Sequence, residues 1–167
     1  MNKLNESISE KLSINNLKDY LTNSLRRITS QIDFEGIVIE TSLDDVGDVL
    51  LAEKGLEFAM FQIIQNSVDA ILKKFETNKD FIGLIKVTLR KDNPYSVLRI
   101  TDNGTGIDKK IKNKIFEPFF TTKAPSKHRG LGLSIAQNII RLQSATLDIE
   151  SREKGQTDVV IRFATKS

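Results

Sequence analysis

The chain has 167 residues, of which 39% are hydrophobic and 28% charged, a balance typical of one soluble globular domain with a sizeable core. It contains no cysteine, which excludes disulfides and thiol chemistry, and its single histidine argues against a histidine-built metal site. No apolar run approaches the ~20 residues that span a bilayer, and the opening MNKLNESISEKL lacks the apolar core of a secretion signal, so we expect a cytoplasmic location.

The N-terminal part of the chain predicts a helix followed by two strands. Residues 4–32 carry leucines and isoleucines at loose helical spacing, which predicts a mostly helical segment. Residues 36–43 predict a strand, residues 44–48 a turn, and residues 49–51 a short second strand.

A long helix with two distinct faces is predicted for residues 55–75. Its core face consists of Leu56, Met60, Ile63, Ile64, Ile71 and Phe75. The roughly opposite side carries a polar stripe made of Gln62, Asn66, Asp69 and Lys73. Periodicity alone assigns such a stripe to solvent, which is the commoner arrangement.

The next two segments, residues 82–90 and 95–102, predict a hairpin joined by a turn at Asp92-Asn93-Pro94. Within the second strand, Leu98, Ile100 and Asp102 share one parity and therefore one face of the sheet. The carboxylate of Asp102 thus ends an apolar row, where an unpaired charge is costly.

Two glycines, Gly104 and Gly106, follow Asp102 and allow the backbone to approach its neighbours closely. An inward carboxylate followed by a glycine turn favours a pocket floor that accepts a hydrogen bond from a planar ligand. The alternative is an ordinary loop with an Asx turn.

Residues 108–129 are strongly basic. They hold seven basic side chains and only two acidic ones, so this segment carries +5 while the whole chain carries +3. Asp108 is placed to cap a short helix that runs to about Ile115. The segment from Phe116 to Arg129 predicts a long irregular loop of the kind that often serves as a lid. The positive charge of this segment suits a polyphosphate ligand. A nucleic-acid-binding surface is one alternative, but no aromatic residues for base stacking are interleaved with the charges. A solvated charged face is the other alternative.

Gly130-Leu131-Gly132-Leu133 opens a further predicted helix, whose core side carries Ile135, Ile139 and Leu142. Two final strands are predicted at residues 145–151 and 156–164, and Thr157 points inward in the second. A glycine-rich helix start favours phosphate, because free N–H groups and the helix dipole both attract anions. Together these features predict a nucleotide site with the base at Asp102 and a metal at Asn66.

Five segments now stand in a recognisable order: QIIQNSVDA, DNGTGI, FEPFFTTK, RGLGLSIA and GQT. This order resembles the N box, first glycine box, F box, second glycine box and final glycine–threonine box of histidine kinases. Those kinases belong to an ATPase superfamily with DNA gyrase, the mismatch-repair MutL proteins and the large heat-shock chaperones. The resemblance covers roughly residues 35–165, and FEPFFTTK followed by GLGLSIA is most similar to the nitrogen-regulation and dicarboxylate-sensing kinases.

The resemblance implies an α+β fold, a two-layer sandwich in which a mixed, mostly antiparallel sheet is backed by helices, of the Bergerat type. It implies that Asp102 accepts a hydrogen bond from the adenine amino group and that Thr157 supports this contact through water. It further implies that Asn66 coordinates Mg²⁺ and acts in catalysis together with Lys123. Arg129 departs from the family pattern, and we expect its positive charge to act with them. The other nucleotide-binding residues that it implies are Asp69, Gly104, Gly106, Ile107, Thr122, Lys123, Gly130, Leu131, Gly132 and Leu133.

For Phe120, Thr121 and Thr122, a purely structural role in the lid is the alternative to ligand contact. Phe116 and Phe119 are expected to anchor the lid on the core.

Three departures from the kinase pattern stand out. His128-Arg129-Gly130 replaces the usual Gly-Thr-Gly, which stiffens the lid and offers the Arg129 charge to the γ-phosphate. Gln62 stands where hydrolysing members of the superfamily carry a glutamate base, so fast ATP hydrolysis is not expected. Asp69 replaces a lysine that many kinases use to bind phosphate, and it either holds a metal-bound water or faces solvent.

The resemblance implies that the chain binds ATP with Mg²⁺ and donates phosphate to a histidine on a dimerisation domain that it lacks. His128, its only histidine, lies in the lid. We therefore expect a catalytic domain at residues 33–167, with a lid at about 108–129, preceded at residues 1–32 by the end of a dimerisation hairpin and a linker. Expected partners are that dimerisation domain and a response regulator, without nucleic-acid or membrane contact. A silent ATP-binding scaffold and an anti-sigma-type serine kinase are the alternatives.

Overall fold

The computed structural model describes residues 11–34, 36–122, 130–152 and 155–164. Its three helices in this part of the chain are α1 (Leu17–Thr29), α2 (Glu53–Thr77) and α3 (Gly132–Leu142). Its strands are β1 (Ser13–Asn16), β2 (Ile37–Leu43), β3 (Asp48–Leu51), β4 (Gly83–Asp92), β5 (Tyr95–Asp102), β6 (Ala145–Arg152) and β7 (Gln156–Ala164).

Five of the strands form the main sheet, in the order β2-β4-β5-β7-β6. The pair β2 and β4 is parallel and the other three pairs are antiparallel. Strands β1 and β3 form a separate antiparallel pair. The mixed, mostly antiparallel sheet backed by helices confirms the predicted fold class.

The core lies between the main sheet and the helices. Alternation places Ile85, Val87 and Leu89 of β4 inside, each fully buried, while the residues between them are exposed or half-buried. The core face of α2 packs on them through side chains such as Leu56, Met60 and Ile71. The register of β5 follows the same rule, so Asp102 reaches the inner face as predicted.

The prediction of one helix over residues 4–32 is wrong for residues 13–16. Those residues form β1, which pairs with β3 in the register Ile14↔Leu50, and such a long-range partner is invisible to local periodicity. Helix α1 starts at Leu17, and the Asn16 side chain caps it by accepting from the amide of Asp19 at 3.1 Å. Residues 4–10 lie outside the described part of the chain.

The predicted helix at residues 108–115 is also absent. Instead, Ile111 N donates to Asp108 O and Lys114 N donates to Ile111 O. The chain therefore runs through successive turns, each closed by a hydrogen bond between residues three apart. The crowding of lysines explains this in part, because Lys110 and Lys114 would lie one turn apart on a helix and repel each other. Asp108 does cap the first turn, by accepting from Lys110 N at 2.8 Å.

Two apolar side chains lie elsewhere than predicted. Leu142 is 58% exposed, because the buried face of α3 is formed by Ala136, Ile139 and Ile140 instead. Phe119, expected to anchor the lid, is 74% exposed and adopts a positive φ of 67°, whereas Phe116 does pack against the core.

Among the residues that the structure describes, no helix combines the length and the apolarity needed to cross a membrane.

Candidate functional site

A cavity of about 1170 Å³ lies between α2, α3 and the ends of strands β5 and β7. The turns at residues 105–122 form its remaining wall, where the spaced side chains of Ile107, Ile111 and Ile115 point into it. A cavity of this size is large enough for a nucleotide. The site is therefore built from the two helices and the loop that the sequence links to ligand binding.

Asp102 forms the floor of the cavity. It is the last residue of β5 and lies directly opposite Thr157 in the antiparallel pair with β7, and both side chains are buried. Its Oδ2 accepts a hydrogen bond from Ser67 Oγ at 3.0 Å, and its Oδ1 accepts one from Gly104 N at 2.9 Å. These two donors fix the plane of the carboxylate and leave further lone pairs to accept from a ligand.

Burial raises the pKa of Asp102 to about 6 from its ordinary value of 3.8. The hydrogen bonds from Gly104 and Ser67 oppose the effect of burial, the negative charge of Asp158 adds to it, and Lys74 opposes it. At neutral pH the carboxylate is therefore ionised but held in a poorly solvated place. A donor from a ligand would stabilise the charge there.

The loop after Asp102 lies against α2 so closely that only glycine fits at position 104. A Cβ on Gly104 would lie 2.7 Å from the carbonyl carbon of Ala70. The same loop is held by Lys74, whose Nζ donates to Asn103 O at 2.7 Å and lies 4.2 Å from the centre of the Phe81 ring. The backbone around Asp102 is therefore fixed to α2 before any ligand binds.

The polar stripe of α2 faces this cavity, and not open solvent as periodicity alone suggests. Gln62, Asn66 and Asp69 are half-buried and line it together with the exposed Lys73. Asp69 Oδ1 accepts a hydrogen bond from Gln65 Nε2 at 3.1 Å. Asn66 and Asp69 thus present oxygen atoms from adjacent turns of one helix.

The oxygen donors on α2 fit a magnesium ion that shares its coordination sphere with a ligand. Amide and carboxylate oxygens suit Mg²⁺, which keeps several waters and binds substrate phosphates instead of occupying an all-protein cage. The described ranges contain no group of three His, Cys, Asp or Glu side chains that could hold a metal by themselves.

The start of α3 closes the other end of the cavity. Its N-cap residue, Leu131, makes no side-chain capping bond to the first amides of α3. Gly132 lies so near α2 that a Cβ on it would be 2.5 Å from Oε1 of Gln62. Gly130 in turn packs against the backbone of Phe119 and Phe120. The start of α3 is thereby positioned facing the polar stripe.

The structure brings most of the predicted site residues to the cavity. The predicted residues that line it are Asn66, Asp69, Asp102, Gly106, Ile107, Thr122, Gly130, Leu131, Gly132, Leu133 and Thr157. Phe120 and Thr121 line it as well. Gly104 packs against α2 behind the lining, and Lys123, Arg129 and His128 lie outside the described residues.

Ser67 is the functional residue that the sequence analysis missed. It is buried and bonds directly to Asp102. The available signal was its spacing of four from Ile63 and seven from Met60, which places a polar residue on the core face of α2.

The comparisons with known proteins agree with this geometry. Residues 55–167 match the family described as histidine kinase-, DNA gyrase B-, and HSP90-like ATPase. The chain belongs to this family. In this ATPase domain the matched region begins within α2 and contains every site residue named above.

Its relatives include bacterial sensor kinases. The domain is 34% identical to the two-component sensor PprA of Pseudomonas aeruginosa over 105 residues, which is 63% of this chain and 11% of that protein. It is 27% identical to sporulation kinase A of Bacillus subtilis over 152 residues, which is 90% of this chain and 23% of that protein. The chain thus corresponds to less than a quarter of the length of either relative.

Solved structures show the same fold. The mycobacterial sensor histidine kinase MprB superposes with a TM-score of 0.74 at 21% identity, covering 92% of this chain and 97% of that chain. The ATPase domain therefore shares its whole architecture with a structure to which its sequence is only weakly similar.

Proposed function

We propose that this ATPase domain binds Mg-ATP and donates the γ-phosphoryl group to a histidine on a dimerisation domain outside this chain. The cavity carries the proposal, because it joins an inward carboxylate, a polar stripe on α2 and an uncapped helix start in one space. The dimerisation domain belongs to the same or a partner kinase, and a response regulator accepts the phosphate next. The setting is two-component signalling in the cytoplasm, without nucleic-acid or membrane contact by this domain.

The base of ATP is assigned to the floor of the cavity. The Asp102 carboxylate accepts from the adenine amino group, and Thr157 beside it supports the contact through water. Guanine presents a carbonyl oxygen where adenine has the amino group, so two acceptors would oppose each other. An unpaired buried polar group costs about 1–3 kcal/mol, which corresponds to roughly tenfold in affinity.

The phosphates are assigned to the opposite end. Their oxygens accept from the amides at the start of α3, next to Gly130, Leu131 and Gly132. Asn66 would hold Mg²⁺, which would neutralise part of the phosphate charge. Lys123 is assigned to the same end by its place in the motif, and Arg129 by its positive charge next to Gly130 in the sequence. Phosphoryl transfer depends mainly on such positioning and charge neutralisation.

The transfer itself needs little covalent chemistry from this chain. A neutral imidazole nitrogen attacks the γ-phosphorus, the bond from that phosphorus to the bridging oxygen breaks, and ADP leaves with the electron pair. Gln62 cannot abstract a proton from water, so slow hydrolysis accompanies the transfer. The resemblance of FEPFFTTK and GLGLSIA assigns the domain to the nitrogen-regulation and dicarboxylate-sensing type.

The chain's N-terminal residues are proposed to continue a dimerisation hairpin and its linker. Helix α1 is tied to the catalytic part through Glu57, whose Oε2 accepts from Ser24 Oγ at 3.1 Å and forms an ion pair with Arg27. Helix α1 is therefore packed on α2, the helix that carries Asn66.

Incubation with γ-labelled ATP tests the proposal. Alone, the chain should remain unlabelled, and mixed with the histidine-bearing hairpin of its cognate kinase it should label that hairpin. Asn66→Ala should abolish the labelling, whereas Asn23→Ala, an exposed change on α1, should preserve it. Acid-labile labelling of the chain alone that is lost in His128→Ala would overturn the assignment.

Two alternatives give different results in the same experiment. A silent scaffold binds ATP tightly but labels no hairpin. A serine kinase of the anti-sigma type gives an acid-stable label on a protein substrate.

A further inference from the structure

Asp158 is a buried carboxylate behind the floor of the cavity. It follows Thr157 in β7, so its side chain projects from the opposite, outer face of the sheet. It is 1% exposed, although it lies on the face that the helices do not cover. Burial of a charge on that face calls for a reason, because it is costly unless partners compensate for it.

Among the described residues, three side chains contact this carboxylate as follows. Thr101 Oγ1 donates to Asp158 Oδ1 at 2.6 Å, and Gln156 Nε2 donates to the same oxygen at 3.2 Å. Arg99 Nη1 lies 3.3 Å from Oδ2 and also reaches Glu150 of β6 at 3.4 Å. The carboxylate is therefore joined directly to β5 through Thr101 and Arg99, and Arg99 extends this network to Glu150 of β6.

The register makes these contacts relevant to the site. Thr101 pairs with Asp158 at the position next to the pair formed by Asp102 and Thr157. The bond from Thr101 to Asp158 on the outer face therefore holds β5 and β7 together where the adenine-binding pair projects from the inner face. Because Thr101 adjoins Asp102 and Asp158 adjoins Thr157, a change in that bond alters the distance between Asp102 and Thr157.

We propose that Asp158 is a positioning residue for the adenine site, and that through Thr101 it sets the preference for adenine over guanine. The inference rests on the proposed nucleotide binding. Electrostatics support it, because the charges that act on Asp102 come from Asp158 on β7 and from Lys74 on α2. Asp158 raises the pKa of Asp102 and Lys74 lowers it.

Calorimetric titration of the whole chain with ATP and GTP tests the inference. Thr101→Val removes the hydroxyl while keeping the shape, and Asp158→Ala removes the acceptor. Each should lower the ratio of ATP to GTP affinity about fivefold, the effect of one lost hydrogen bond. Asp158→Asn keeps an acceptor for Thr101 and should restore most of the ratio.

A second readout separates positioning from simple stabilisation of the sheet. Removing the negative charge in Asp158→Asn should lower the pH at which ATP affinity falls to half, whereas Thr101→Val should leave that pH unchanged. Asp148→Asn is the control, because Asp148, like Asp158, pairs with an arginine, but it is exposed and lies away from the adenine pair.

Two results would overturn the inference while leaving nucleotide binding intact. One is an unchanged ratio of ATP to GTP affinity in folded Thr101→Val and Asp158→Ala variants. The other is a decrease of this ratio in Asp148→Asn that equals the decrease in those two variants. A wild-type chain that binds no ATP would overturn the proposed function as well, so the two failures are distinguishable.

Discussion

Ser67 Oγ and Asp102 Oδ2 are joined by a hydrogen bond of 3.0 Å between buried atoms of α2 and β5. The bond connects the helix that carries the proposed metal ligand to the strand that carries the proposed base ligand. It also orients an ionised group that burial disfavours. The adenine end of the cavity is thus preorganised, so a ligand spends little binding energy on ordering it.

The first prediction concerns base selectivity. In Asp102→Asn, the amide can donate a hydrogen bond where the carboxylate can only accept, so it fits the carbonyl oxygen of guanine better. We expect the ratio of ATP to GTP affinity to fall about tenfold or more, measured by calorimetry. A variant that keeps the wild-type ratio would show that the base does not contact Asp102.

The second prediction concerns stability and pH. The pKa of Asp102 is about 6 in the folded chain and 3.8 as its ordinary value, so the folded state holds this proton more tightly. The contribution of Asp102 to stability is thus fully present below pH 3.8 and is lost as the pH rises through about 6. The loss amounts to about 3 kcal/mol at neutral pH.

Asp102→Asn should remove this dependence. Without nucleotide at neutral pH, we expect the variant to unfold at a higher urea concentration than the wild type, by up to about 3 kcal/mol in the free energy of unfolding. Its stability should also lack the decline between pH 4 and 6 that Asp102 causes. An identical pH profile in both proteins would contradict the raised pKa.

The third prediction concerns the contact between Gly104 and α2. A methyl group at this position meets the Ala70 backbone at 2.7 Å, where neither the helix nor the loop can yield without breaking hydrogen bonds. Gly104→Ala should therefore lower the free energy of unfolding by about 1–3 kcal/mol, and ATP affinity with it. Thr105→Ala, an exposed change in the same loop, is the control and should alter stability little. Equal stability of the two variants would mean that the loop is free to move from α2.

The fourth prediction concerns the phosphate end. Lys123→Ala and Arg129→Ala should each lower the affinity for ATP about tenfold or more, which is the effect of losing one charge-assisted hydrogen bond. Each should leave the affinity for adenosine unchanged. Lys91→Ala is the control, because Lys91 is exposed on β4 at the end of the hairpin distant from Asp102. Equal weakening of ATP and adenosine would place both side chains away from the phosphates.

The strand register and the base site could be predicted from the sequence because side chains alternate strictly along a strand. That rule alone put Asp102 and Thr157 on the inner face, and the structure confirms both positions. Periodicity along a helix does not show whether a polar face contacts solvent or a cavity. The stripe through Asn66 reads as a solvent face until α3 and the turns at residues 105–122 are placed opposite it.

The remaining errors arise where distant parts of the chain decide the outcome. Residues 13–16 become a strand only because β3 pairs with them. Helical spacing separates Ile107, Ile111 and Ile115, yet this segment forms successive turns, and the turns place the three side chains along the cavity wall. Ser67 is a polar residue on the apolar face of α2, and its hydrogen-bond partner, Asp102, is distant in the sequence. Its contact with Asp102 is therefore evident only in the structure.

The pairing of β5 with β7 also bears on how the domain acquires its activity. The hairpins β4–β5 and β6–β7 are local and can form early, but Asp102 and Thr157 belong to different hairpins, separated by the lid and α3. Closing that long loop is the entropically demanding step of folding. Neither hairpin alone carries the proposed adenine site, so only chains that have completed the sheet should bind nucleotide. ATP would therefore favour the completion of folding.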